Sequence, residues 1–296
     1  MTYFLILKQE SDETFAHMYL PIVEEGNLRT WSPERMYIPS PAWFKFRSAV
    51  KRLDDYVSSL IEKRWALRLS EAVAGDTSRK QDVLDKCLGA IRVEDWNAGA
   101  IKQIRDEVKT FVLAGHETSA SMLTWSLYEL VKNPQYLKMV RAEATKVYAS
   151  HQSLADDNSG RYTVTGLPKR SELDGGLLFT ECSLRESLRK YSVVPTVVRV
   201  AAEDTHLGDD YFIPKGTTLM INMQGVHHNP NIWPEPLAYK PERFLEEIKP
   251  YTFLPFIEGP RMCLGQFLSL LESKVRVCSF RQLGLILSLF FNLLWK

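Results

Sequence analysis

The segment Phe256-Ile-Glu-Gly259-Pro-Arg261-Met-Cys263-Leu-Gly265 sets one nucleophilic side chain, Cys263, in surroundings that suit metal ligation. A thiolate stays deprotonated where a cation or a helix N-terminus faces it. A final helix is predicted to start just after this cysteine, so that free backbone amides would point at the sulfur. Gly259 permits a tight turn, Gly265 lets a flat macrocycle come close to the backbone, and Arg261 can grip a carboxylate in a fork. Phe256 would cover one side of that macrocycle. A lone cysteine is most often a small buried hydrophobe. Five specified positions out of ten, however, are filled by chance in such a chain only roughly once in ten thousand, at about 5% usage per residue type.

A second cluster, Ala114-Gly115-His116-Glu117-Thr118-Ser119, lies inside a helix predicted over residues 98–131. Ile101, Ile104, Val108, Phe111 and Val112 make one apolar stripe, and beyond Phe111 apolar residues surround the axis, which predicts a buried second half. A glycine followed by three polar residues is costly to bury there and asks for a reason. His116 is read as a satisfied helix histidine, not as a metal ligand. The third pattern is E-x-x-R at Glu186-Ser-Leu-Arg189, on a helix predicted over residues 181–190. Alone it means little, because it arises about once per 300 residues at average composition, and Glu258 with Arg261 satisfies it too. Its order gives it weight: it stands between the helix cluster and the cysteine loop and is followed by Pro241-Glu-Arg243-Phe244.

The elements that must position these residues read as mainly helical. Residues 41–68 carry Phe44, Phe46, Val50, Leu53, Val57, Leu60, Ile61 and Trp65 at helical spacing among charges, and a polar stretch at 74–81 ends that helix. Asn133-Pro134 stops the central helix and starts another. Residues 150–169 form a Ser/Asp/Gly-rich loop, residues 196–222 read as short strands and hairpins, and residues 227–254 as ordered coil. The 37 basic and 36 acidic residues nearly cancel, which argues against a nucleic-acid partner. The four cysteines, at 87, 182, 263 and 278, form no C-x-x-C pair, which argues against a zinc site or a disulfide framework and for a reducing compartment. The apolar run at residues 1–7 is too short for a signal or an anchor, and that at 283–295 falls below the roughly 20 residues of a spanning helix.

The cysteine segment fills every fixed position of F-x-x-G-x-R-x-C-x-G, and in this the sequence resembles the cytochrome P450 family. The resemblance implies the C-terminal part of that fold, mainly α with a small β component. It implies one partial haem-thiolate domain over 1–296, with an oxygen-activating helix (98–131), the E-x-x-R helix (181–190), the cysteine loop and final helix (253–275) and a divergent tail (276–296). Cys263 becomes the axial ligand of the iron of haem b, flanked by Phe256, Gly259, Arg261 and Gly265, and Arg199 in Thr196-Val-Val-Arg199-Val becomes another propionate contact. The segment 114–119 matches the family's [A/G]-G-x-[D/E]-T-[T/S], which makes Glu117 and Thr118 the catalytic acid and alcohol that relay protons during oxygen activation. Glu186 and Arg189 would pair with Arg243 and lock the coil that presents the cysteine loop.

The implied activity is a monooxygenase that inserts one atom of dioxygen into an apolar small molecule, drawing electrons from an NADPH-dependent flavoprotein reductase. The apolar segment 193–198 would line its substrate pocket. The intact family member would sit on the cytoplasmic face of the endoplasmic reticulum membrane. Family members are much longer, and residues 276–296 depart from the family pattern. These departures define a rival expectation, a non-catalytic truncated fragment or splice product. A third keeps the haem but isomerises or dehydrates a peroxide, chemistry that needs no proton relay.

Overall fold

A computed structural model describes residues 12–75, 81–148 and 168–279. The terminal apolar runs, most of the loop predicted at 150–169 and the tail from residue 280 onward lie outside the described residues. The fold is mainly helical with two small two-stranded sheets, and the chain divides into two compact units, residues 1–116 and 117–296.

The first unit holds helices α1 (Asp12–Trp31), α2 (Pro41–Ala74) and α3 (Val83–Gly89) and the start of α4 (Ala98–Lys132). Ser40 caps α2 by accepting from Trp43 N at 3.2 Å, Pro41 suits the first turn, and Gly75 at φ +65° ends the helix in a left-handed conformation that glycine adopts without strain. The buried stripe is Ala49, Leu53, Val57, Ile61 and Trp65, every fourth residue, whereas Phe44, assigned to the stripe from sequence, is exposed. That stripe packs with Leu84, Leu88, Ile104 and Val108, and Trp65 stacks on Trp96 at 4.1 Å between centroids. Arg64 bridges Asp82 and Asp85, which form the reciprocal cap of α3, at 2.8 and 3.0 Å.

The second unit is built around α7 (Leu178–Lys190), with the rest of α4, α5 (Pro134–Tyr148), α6 (Arg170–Gly176), α8 (Met223–His227) and α9 (Gln266–Ser279). Leu184 and Phe179 of α7 pack with Leu130, Val140 and Val277, and Cys182 packs with Trp233 and Phe244. The α5 residue Glu143 accepts from Phe179 N and Thr180 N at 2.7 and 2.8 Å, so a carboxylate sits on the positive end of α7. Gly176 permits a close approach of α6 to α5, since a Cβ there would fall 2.3 Å from Val147 Cγ2. Strand β1 (Thr196–Val200) pairs antiparallel with β4 (Thr218–Asn222), and β2 (Thr205–Leu207) with β3 (Tyr211–Ile213) across a turn at Gly208.

One expectation is corrected. The second half of α4 is not buried all round: Met122, Ser126, Glu129 and Leu130 are buried, while Ala120, Thr124 and Trp125 are exposed. Among the described residues, Val140, Phe179, Leu184 and Val277 pack with Leu130, and the side chains of Lys190 and Tyr191 reach Glu129 at 2.7 and 2.5 Å. An apolar sequence on every face therefore marks the side chains available for burial, not the number of faces that are covered.

Candidate functional site

The site begins at α7, where Glu186 and Arg189 lie one turn apart with no exposed surface. Arg189 grips the carboxylate with two bonds, Nε to Oε2 and Nη2 to Oε1, both 2.8 Å, and its remaining nitrogen Nη1 donates to His227 O at 2.9 Å. Glu186 also accepts from Lys240 N at 2.9 Å, and Arg243 Nε stands 3.4 Å from Oε1. Arg243 Nη2 donates to Glu235 O at 2.9 Å. A fully desolvated carboxylate thus meets one buried guanidinium, a second one at its edge and a backbone amide, the arrangement a buried ion pair needs to offset its desolvation. These bonds tie α7 to the coil that leads to the cysteine segment.

That segment is a tight loop. Ile257 N donates to Leu254 O at 3.2 Å, Met262 N to Gly259 O at 3.0 Å and Cys263 N to Phe256 O at 2.9 Å. Gly259 takes φ +87°, which glycine adopts freely, but Ile257 takes φ +62°, a strained conformation for a β-branched residue that only the surrounding bonds can hold. The loop delivers Cys263 exposed, in contrast to the buried Cys182 and Cys278. Its chain neighbours Met262 and Leu264 are exposed, as is Arg261, which has no ion pair among the described residues, and an added Cβ at Gly265 would sit 3.8 Å from Sγ. Helix α9 begins three positions later, at Gln266. Phe256 is half-buried and lines a cleft of about 380 Å³ with Phe253, Phe267, Arg185 and Lys274.

The other residues singled out from sequence sit on separate elements of the same unit. Arg199 is in β1, half-buried, with its guanidinium donating to Val198 O at 2.9 Å, so it is not joined to the cysteine loop. Glu117 and Thr118 are half-buried on α4, which continues as α-helix through Gly115.

The sequence reading missed His227. Its ring is fully buried, with Nδ1 2.8 Å from Ser192 Oγ and Nε2 accepting from Leu254 N at 2.8 Å. Local sequence offers no signal for it, because His227 and His228 stand side by side in a segment that reads as coil. Burial first, and then the charges of Arg189 and His228, hold the His227 imidazole down at about 4. The ordinary value is about 6.5, so on acidification the unfolded chain takes up this proton before the folded chain does. The stabilisation is complete above pH of about 6.5 and is lost as pH falls toward about 4, a span that amounts to about 3 kcal/mol. Denaturant unfolding at a series of pH values should therefore show a shallower acid decline for His227→Gln than for the parent chain; equal slopes would exclude the effect.

Residues 4–282 match the family model described as Cytochrome P450. Human cytochrome P450 4F3 is 35% identical over 251 residues, which cover 81% of this chain and 45% of that protein. Human ultra-long-chain fatty acid omega-hydroxylase is 33% identical over 251 residues, covering 82% of the chain and 44% of that protein. Mouse leukotriene-B4 omega-hydroxylase 3 is 31% identical over 252 residues, covering 81% and 45%. The chain thus spans less than half the length of these relatives.

Proposed function

Since the chain belongs to the cytochrome P450 family, we propose that it forms the haem-thiolate part of a monooxygenase that inserts one atom of dioxygen into an apolar small molecule. The observation that carries this is the exposed thiol of Cys263, delivered by a strained, internally bonded loop and not buried in the core. The residues present fit haem b. Cys263 offers a single exposed sulfur, which suits a metal whose other ligands come with it, as for the iron of a macrocycle. The exposed apolar residues Met262 and Leu264, next to Cys263 in the chain, suit the ring, and the exposed guanidinium of Arg261, which has no ion pair among the described residues, suits its carboxylates.

Bound haem supplies the iron chemistry that activates dioxygen, with the thiolate pushing electron density toward it. Cys263 would hold the iron through its thiolate, Phe256 would lie beside the ring, and the small residues Gly259 and Gly265 would let the backbone turn and approach. Arg261, and Arg199 once released from Val198 O, would hold the propionates. Glu117 and Thr118 hold and pass protons at the carboxylate and the hydroxyl. Glu186, Arg189 and Arg243 are positioning residues that fix the coil ahead of the loop. The electrons come from an NADPH-dependent flavoprotein reductase, and the protein works at the endoplasmic reticulum membrane. The relatives named for omega-hydroxylation of fatty acids and leukotriene B4 support a long-chain carboxylic acid as the substrate class.

The test is reconstitution of the 296-residue chain with haem, followed by reduction under carbon monoxide. A thiolate-shifted Soret band is the expected result, and bound haem without that shift overturns the assignment.

A further inference from the structure

The buried Glu186–Arg189 pair and the cysteine loop are far apart in sequence and do not touch directly in the bonds that build either one; what stands between them is His227. Its carbonyl receives Arg189 Nη1 at 2.9 Å, and its ring receives Leu254 N at 2.8 Å. A backbone amide can only donate, so Nε2 presents its lone pair, and in the neutral ring the proton lies on Nδ1 and is donated to Ser192 Oγ at 2.8 Å. With no exposed surface at His227, water does not compete for either bond.

The Leu254 amide is a consequential place to hold. Its neighbour Phe253 packs against Phe244 at 4.8 Å, Trp233 at 6.4 Å and the His227 ring at 5.6 Å. Leu254 O receives Ile257 N, which closes the strained turn, and Phe256 O then receives Cys263 N. We infer that His227 is the positioning residue that carries the placement of the buried ion pair to the cysteine loop, by holding the Leu254 amide on Nε2. The inference rests on the reading of Cys263 as iron ligand for its functional meaning, and on these bonds alone for its structural content. A histidine that merely filled the core would bond within its own scaffold; this one bonds to the loop.

The test is hydrogen exchange of the 296-residue chain, without haem, in the parent, His227→Leu and His227→Gln forms. Glutamine can present an oxygen near the Nε2 position, and leucine cannot. In His227→Leu, exchange over residues 253–264 is expected to rise about tenfold or more while residues 178–190 stay as protected as in the parent; His227→Gln is expected to stay within about threefold of the parent. Unchanged exchange of 253–264 in His227→Leu overturns the inference, and so does an equal rise in 178–190, which marks a general core defect. Should His227→Leu fail to fold, Ser192→Ala serves instead. It frees the tautomer and should raise exchange only in 253–264, and no change there overturns the inference. After haem loading, His227→Leu should hold haem about tenfold more weakly and His227→Gln nearly as well as the parent. A chain that takes up no haem in any form would overturn the proposed function and leave the exchange result standing.

Discussion

An Arg189→Met chain is expected to unfold about 3–5 kcal/mol more easily than the parent, because the substitution leaves the Glu186 carboxylate charged and fully buried with its main partner gone. Arg243 at 3.4 Å and Lys240 N remain, but neither replaces a two-bond guanidinium. The bond to His227 O goes as well, so the damage extends from α7 into the coil that precedes the cysteine loop. Denaturant unfolding of parent, Arg189→Met and the double variant Glu186→Leu/Arg189→Met separates charge from packing. The double variant removes the stranded carboxylate and should recover a large part of the loss. An Arg189→Met chain within about 1 kcal/mol of the parent would mean that the pair is not desolvated in solution.

Cys263→Ser is expected to do the reverse. Cys263 is exposed, so the fold should change by no more than about 0.5 kcal/mol. The thiolate-shifted Soret band of the reduced, carbon-monoxide-bound form should vanish altogether, since a serine hydroxyl does not supply that ligand. Cys182→Ala is the matched control. Its sulfur is packed beside Trp233 and Phe244, so the variant should keep the band and lose about 1 kcal/mol of stability. Retention of the shifted band by Cys263→Ser would remove Cys263 from the site.

Stability and ligation thus fall on different residues in this chain. The ion pair has no exposed surface and its contribution is to placement; the cysteine is held out of the core and contributes little to folding. The strain at Ile257 belongs to the same division, because a β-branched residue at φ +62° persists only where neighbouring bonds over-determine it. Those neighbouring bonds begin at His227 and end at the amide of Cys263.

Residues with a regular spacing or a dense motif were legible without coordinates. The stripe Leu53, Val57, Ile61, Trp65 shows as a helix face because burial on one side imposes a helical period on the sequence. The cysteine segment stands out because five positions must each carry one specified residue. Where the pattern is degenerate, sequence could not choose. Glu186 with Arg189 and Glu258 with Arg261 have the same spacing, yet the first pair is fully buried and the second is exposed. Likewise His227 is buried between Ser192 and Leu254, while His228 beside it is half-buried and turns to Lys190 O and Gln224. Sequence alone thus determined the helical character of the chain, the cysteine motif and its family. Tertiary structure decided which carboxylate is desolvated, which histidine holds the loop and how much of α4 is covered, because burial is a property of what packs around a residue and is not written in its neighbours along the chain.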